Sequence, residues 1–155
     1  MPAQTRIDFS DAEKKLGLLK GALKPAMFLP PIAHSLFLMS RHAFEQQASP
    51  EGAAWAPLSP RYAGMKARLF PGKGILQRRG GLLRSLFETV EGNTATIGET
   101  MPYAAIHFYG GLAGRGHKAK IPARPSLPAV ETAAREAQRV GEEVVQDAIE
   151  RAGLS

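Results

Sequence analysis

Four histidines and fourteen acidic residues are the groups in this chain that could hold a metal or move a proton. His34 and His42 stand eight residues apart, near one face of a helix, and ordinary packing or solvation is expected of them rather than metal binding. His107 lies in Tyr103-Ala-Ala-Ile-His-Phe-Tyr-Gly110, where a catalytic base would need a nucleophile or a paired acid close by, and the neighbourhood supplies neither. The expectation is structural: Tyr103 and Ile106 buried, with the His107 side chain hydrogen-bonding a loop. There is no cysteine, which excludes disulfides, thiolate metal sites and cysteine nucleophiles. The glycines of Gly110-Gly111-Leu-Ala-Gly114-Arg-Gly116 resemble a phosphate cradle only superficially, because no GxxxxGK[ST] pattern occurs and no strand–helix unit brackets them. A flexible basic loop from Gly111 to Lys120 is expected instead. Trp55, the one tryptophan, could stack a base, but within Ala53-Ala-Trp-Ala-Pro-Leu58 it reads better as an anchor pinning a loop on the core. No paired carboxylates and no metal constellation stand out, so the chain is not read as an enzyme and no cofactor is expected.

What remains is charge. The formal balance is +6 with a sequence pI near 9.9, and its distribution is uneven. Residues 52–87 hold seven basic side chains (Arg61, Lys66, Arg68, Lys73, Arg78, Arg79, Arg84) and no acid, and residues 100–130 hold four more, again without an acid. From Glu131 onward six acids face three basics. Such asymmetry suits phosphate binding, and it equally suits complementary contacts between subunits. The block from Arg61 to Arg84 is the best candidate for a nucleic-acid surface. An acidic terminal helix offers it a protein partner instead, and that reading is preferred.

The elements that must position these groups follow from periodicity and punctuation. Apolar residues at helical spacing predict a first helix over Phe9 to Leu23. Lys24-Pro25 should interrupt it, and Pro30-Pro31 should open a second helix that stops near Ser49-Pro50. Ser59 as cap and Pro60 at the first position predict a short helix to about Arg68. Leu82, Leu83, Leu86 and Phe87 suit a buried helical turn entering a strand. Thr89-Val90-Glu91 and Thr94 to Gly98, flanking Gly92-Asn93, read as a β-hairpin. A short helix over Pro102 to Tyr109 should end at Gly110-Gly111. Ile121-Pro-Ala-Arg-Pro125 should be extended, and the flanking prolines should aim Arg124 at a carboxylate or at backbone carbonyls. Val130 to Ala152 carries one apolar stripe and predicts a helix of roughly 35 Å. The fold class is therefore α+β, with N-terminal helices, a small antiparallel sheet built on a hairpin and a long C-terminal helix. One domain spans 1–155: a helical part to residue 50, a loop-rich core over 51–127 and the terminal helix over 128–155. No run approaches a membrane span and no leader pattern opens the chain, so the expected location is the cytoplasm of the producing cell.

Taken in order, Phe44-Glu-Gln46, Pro50-Glu-Gly52, Trp55-Ala-Pro-Leu-Ser59, Lys66, Ile75-Leu76-Gln77, Gly80-Gly-Leu82-Leu-Arg-Ser-Leu86, Ile97-Gly98, Pro102-Tyr103-Ala-Ala-Ile-His107, Gly110-Gly111 and Ile121-Pro-Ala-Arg124-Pro125 resemble the phage virion morphogenesis family of Mu-like phages, which is related to tail-completion proteins. The resemblance covers roughly Phe44 to Ala129. It implies a virion structural subunit without catalysis or cofactor. Such a subunit forms a homo-oligomeric ring, six-fold or twelve-fold, completes the tail or neck and enables head–tail joining. It implies as partners other copies of the chain, the tail tube and the neck or head connector, with DNA passing through the ring and no membrane. Trp55, Lys66, Leu76, Leu82, Tyr103, His107, Gly110, Arg124 and Pro125 are the residues expected to carry structure and assembly. The competing reading is a DNA-binding protein that contacts packaged DNA through Arg61 to Arg84.

Overall fold

The computed structural model describes Gly17, Lys20 and residues 24–153. Of the helix expected over Phe9 to Leu23 only Gly17 and Lys20 fall among them, both helical and exposed; the rest lies outside the described residues.

Helix α1 runs Pro25–Gln46, so it starts one turn before the expected Pro30-Pro31. Pro25 takes the first position, where its missing N–H would have been unsatisfied anyway. Pro30 and Pro31 then lie inside the helix, where each removes a hydrogen bond. Helix α1 packs along the C-terminal helix, where Gly141 leaves room beside Phe28: a Cβ at that glycine would lie 3.9 Å from the Phe28 ring. The helix closes at Gln47, which is left-handed at φ 52. Helix α2 is Pro60–Leu69, with Pro60 at its first position, but the Ser59 side chain makes no capping hydrogen bond, which corrects the expected cap.

A single turn, α3 (Gly81–Arg84), feeds strand β1 (Leu86–Glu91), which pairs antiparallel with β2 (Thr94–Glu99) from Leu86↔Glu99 to Glu91↔Thr94. The hairpin turns on Gly92-Asn93 as the sequence predicts, with Gly92 at φ 56. Helix α4 (Ala104–Tyr109) follows. The segment expected to be a flexible loop is instead a second antiparallel ladder: β3 (Gly111–Ala113) pairs with β4 (Ala119–Ile121) around a 3₁₀ turn at Arg115–His117. Three-residue strands of this composition are too short to carry an alternation signal.

Helix α5 (Val130–Arg151) packs along α1 and buries Val140 and Ala148. Val130, expected at the head of its apolar stripe, is 81% exposed. The carboxylate of Glu51 accepts the Ala129 N–H at 2.8 Å and ties that entry down. Ser35 of α1 donates to Glu136 of α5. The architecture is mixed α+β, with α1 between α5 and the hairpin. Its core is Ala43, Phe44, Trp55 and Leu82, with Leu76, Leu83, Leu86 and Met101 packed around it.

A candidate assembly cleft

The extended Ile121–Pro125 segment lies against two distant parts of the chain. Arg124 is 5% exposed; its Nε donates to the Ala56 carbonyl at 2.8 Å and its Nη2 to the Pro57 carbonyl at 3.1 Å. The planar fork thus grips two successive carbonyls, not a carboxylate. Its backbone N–H donates to the His107 carbonyl at 2.7 Å. Next to it the Trp55 indole donates to the Pro125 carbonyl at 2.8 Å, while its ring meets Phe44 edge-on. Gly110 lets α4 turn away against this segment: at φ 74, a Cβ there would lie 2.8 Å from the Ala123 nitrogen.

These contacts make one wall of a cleft, and two expectations change within it. Tyr103 is 44% exposed rather than buried, and it presents its ring to the edge of His107. The His107 side chain does not fasten a loop: Nδ1 is buried without a hydrogen-bond partner among the described residues, and the backbone carbonyl does the fastening. Burial, and then the nearby Arg124 charge, hold the His107 pKa below its ordinary value. Lys66, almost fully buried, donates to the Gly74 carbonyl. Burial first and Arg124 second depress its pKa as well.

The cleft encloses about 1000 Å³. It brings together six of the sequence-predicted residues, namely Lys66, Leu76, Leu82, Tyr103, His107 and Arg124. Trp55, Gly110 and Pro125 do not line it and instead buttress its wall. Leu76 reaches the cleft from a left-handed backbone at φ 62. Three lining cations, Arg78, Arg79 and Lys120, were legible only as members of basic runs. With Lys66 and Arg124 they make five positive side chains, and no acidic residue lines the cleft. None of the five has a carboxylate partner among the described residues. Leu58, Tyr62, Leu76 and Ile121 supply apolar walls. Apolar walls with unbalanced positive charge suit a protein surface bearing carboxylates.

A sequence model of the phage virion morphogenesis family matches residues 9–152. The chain belongs to that family. Among curated proteins it is 32% identical over 124 residues to "Putative capsid assembly protein G" of Escherichia phage Mu, covering 77% of this chain and 74% of that one. It is 52% identical over 46 residues to the Mu-like prophage FluMu G protein 2 of Haemophilus influenzae, covering 30% of this chain and only 33% of that relative's length. No solved structure matches.

Within this virion morphogenesis protein His34 and His42, both outside the cleft, are engaged separately. His34 contacts Glu88 of β1 at 3.0 Å, and His42 contacts Glu45 on its own helix at 3.3 Å. The two do not converge. Among the described residues no helix is long and apolar enough to cross a membrane.

Proposed function

We propose that this member of the virion morphogenesis family is a non-enzymatic structural subunit that completes the tail or neck and enables head–tail joining as part of a homo-oligomeric ring. The observation that carries the reading is the cleft, in which five cations over apolar walls have no acid of their own. Exposed apolar walls rimmed by cations are a surface that a neighbouring protein bearing carboxylates can cover. Both described sheets are two-stranded, which adds unpaired strand edges that a neighbour can cover. The tail tube and the neck or head connector are the partners this role requires, and the virion is where it acts.

The name of the phage Mu relative refers to capsid assembly, which favours a second reading in which the subunit acts on the head. A phage lacking this protein separates the two. Under the proposal its lysates contain filled heads and free tails, and adding purified protein restores infectious particles. Lysates without normal heads would overturn tail completion in favour of capsid assembly.

A further inference from the structure

Two surfaces of this chain are electrically incomplete in opposite senses. The cleft carries Arg78, Arg79 and Lys120 exposed at its rim, with no carboxylate within it. On α5 the outward-facing Glu131, Glu142 and Glu150 have no cationic partner among the described residues: Glu142 and Glu150 accept only from the neutral amides of Gln138 and Gln146. Arg139 and Arg151 instead serve Glu136, Glu143 and Asp147, and Arg135, which lies on the same face as Glu131 and Glu142, donates to the Thr132 hydroxyl and leaves that face net acidic. Glu142, Gln146 and Glu150 succeed one another at four-residue spacing and so share one face of the helix.

We propose that the cleft receives the acidic outer face of α5 from a second copy of this chain. The inference rests on the assembly role proposed above and supplies its partner surface. Within one subunit α5 packs along α1 and buries Val140 and Ala148 on its other face, whereas Glu131, Glu142 and Glu150 are exposed and pair with no cleft cation of their own subunit among the described residues, so the cleft they meet is a neighbour's. Cleft and helix are different surfaces, so the contact is heterologous. Such contacts propagate head to tail and close into a ring when the rotation allows. The rim cations steer the encounter, and the apolar walls favour a side-chain-bearing surface over a sugar–phosphate backbone.

The chain has no cysteine, so introduced thiols report unambiguously. Two full-length chains, Ala119→Cys at the cleft and Gln146→Cys on α5, are mixed and oxidised gently; this traps even a weak contact. The mixed disulfide dimer should exceed either homodimer several-fold. Adding Arg79→Glu to the first chain should lower it by about tenfold, and adding Glu150→Lys to the second should restore it. Circular dichroism of each variant checks folding, and the charge-swap rescue separates loss of contact from loss of structure. A mixed dimer no more abundant than the homodimers would overturn the inference, as would a yield indifferent to Arg79→Glu. So would binding of a duplex oligonucleotide that is abolished by Arg79→Glu while the mixed dimer stays absent, which would assign the cleft to phosphate. If the crosslink fails yet the protein still restores head–tail joining, the docking inference falls and the assembly role stands.

Discussion

The Trp55 indole and the Pro125 carbonyl are joined by a 2.8 Å hydrogen bond across 70 residues of chain. Because Arg124 immediately before it grips the carbonyls of Ala56 and Pro57, which follow Trp55, the two segments are stitched reciprocally. One side donates an indole N–H and the other a guanidinium. The stitch sets the wall of the cleft, which Arg124 lines and which Trp55 and Pro125 buttress from behind.

Trp55→Phe keeps an aromatic ring against Phe44 and removes the donor to Pro125. It should destabilise the protein by about 1 kcal/mol, the worth of one hydrogen bond. Trp55→Ala should cost about 3 to 5 kcal/mol, because it opens a cavity beside Phe44 and Leu82. Urea unfolding of both variants checks the ratio, and a Trp55→Phe midpoint equal to the parent's would mean that the hydrogen bond contributes nothing.

Arg124→Lys preserves the charge and abolishes the fork. An ammonium cannot reproduce the planar pair of donors to Ala56 and Pro57, so at least one carbonyl loses its partner. A loss of about 1 to 2 kcal/mol is expected, with the chain still folded and head–tail joining impaired in a complementation assay. Parental stability together with parental joining would show that charge alone suffices there.

Much of this was legible in sequence because it depends on local signals. The hairpin around Gly92-Asn93, the start of α2 at Pro60 and the span of α5 each rest on turn chemistry or periodicity. The failures share a different cause. Pro30 and Pro31 are read locally as helix openers, yet α1 begins at Pro25 and runs through them, packed along the C-terminal helix. Tyr103 looked like a core aromatic but sits at the cleft, and the β3–β4 ladder forms from segments too short to show alternation. The cleft itself joins α2, α3 and β4, elements whose proximity no local pattern encodes. Of its cations, Arg78, Arg79 and Lys120 were visible only as members of runs.

Gly110 and Gly64 offer a contrast that packing alone decides. Gly110→Ala would place a methyl 2.8 Å from the Ala123 nitrogen and 3.0 Å from the Ile121 carbonyl oxygen at φ 74, so it should destabilise by about 1 to 3 kcal/mol. Gly64 lies within α2 with nothing within 4 Å of an added methyl. Gly64→Ala should therefore stabilise by about 0.5 to 1 kcal/mol through helix propensity. Thermal melts of the two variants should move in opposite directions.

The pH dependence of stability should carry the signature of His107. Burial, reinforced by Arg124, lowers its pKa in the folded protein below the ordinary 6.5. Just below pH 6.5 the unfolded chain therefore binds a proton that the folded chain refuses, and stability falls as the pH drops through that window. Glu99 acts in the opposite sense: burial raises its pKa above 4.5, against the Ser126 hydroxyl that lowers it. The folded state then holds a proton the unfolded state has released, which adds stability as the pH falls. Glu136, held down to about 2 chiefly by its hydrogen bonds to Arg139 and Ser35, loses its contribution only below about pH 4.5. His107→Phe removes the titrating ring and the unpartnered Nδ1 while keeping an aromatic edge for Tyr103. Urea midpoints measured at pH 7.5, 6.5 and 5.5 should show the variant gaining on the parent toward acid, by no more than about 1.4 kcal/mol per pH unit for one proton. A gap between variant and parent that stays constant across that range would mean that His107 titrates alike in the folded and unfolded chains, and that its burial beside Arg124 has no energetic consequence.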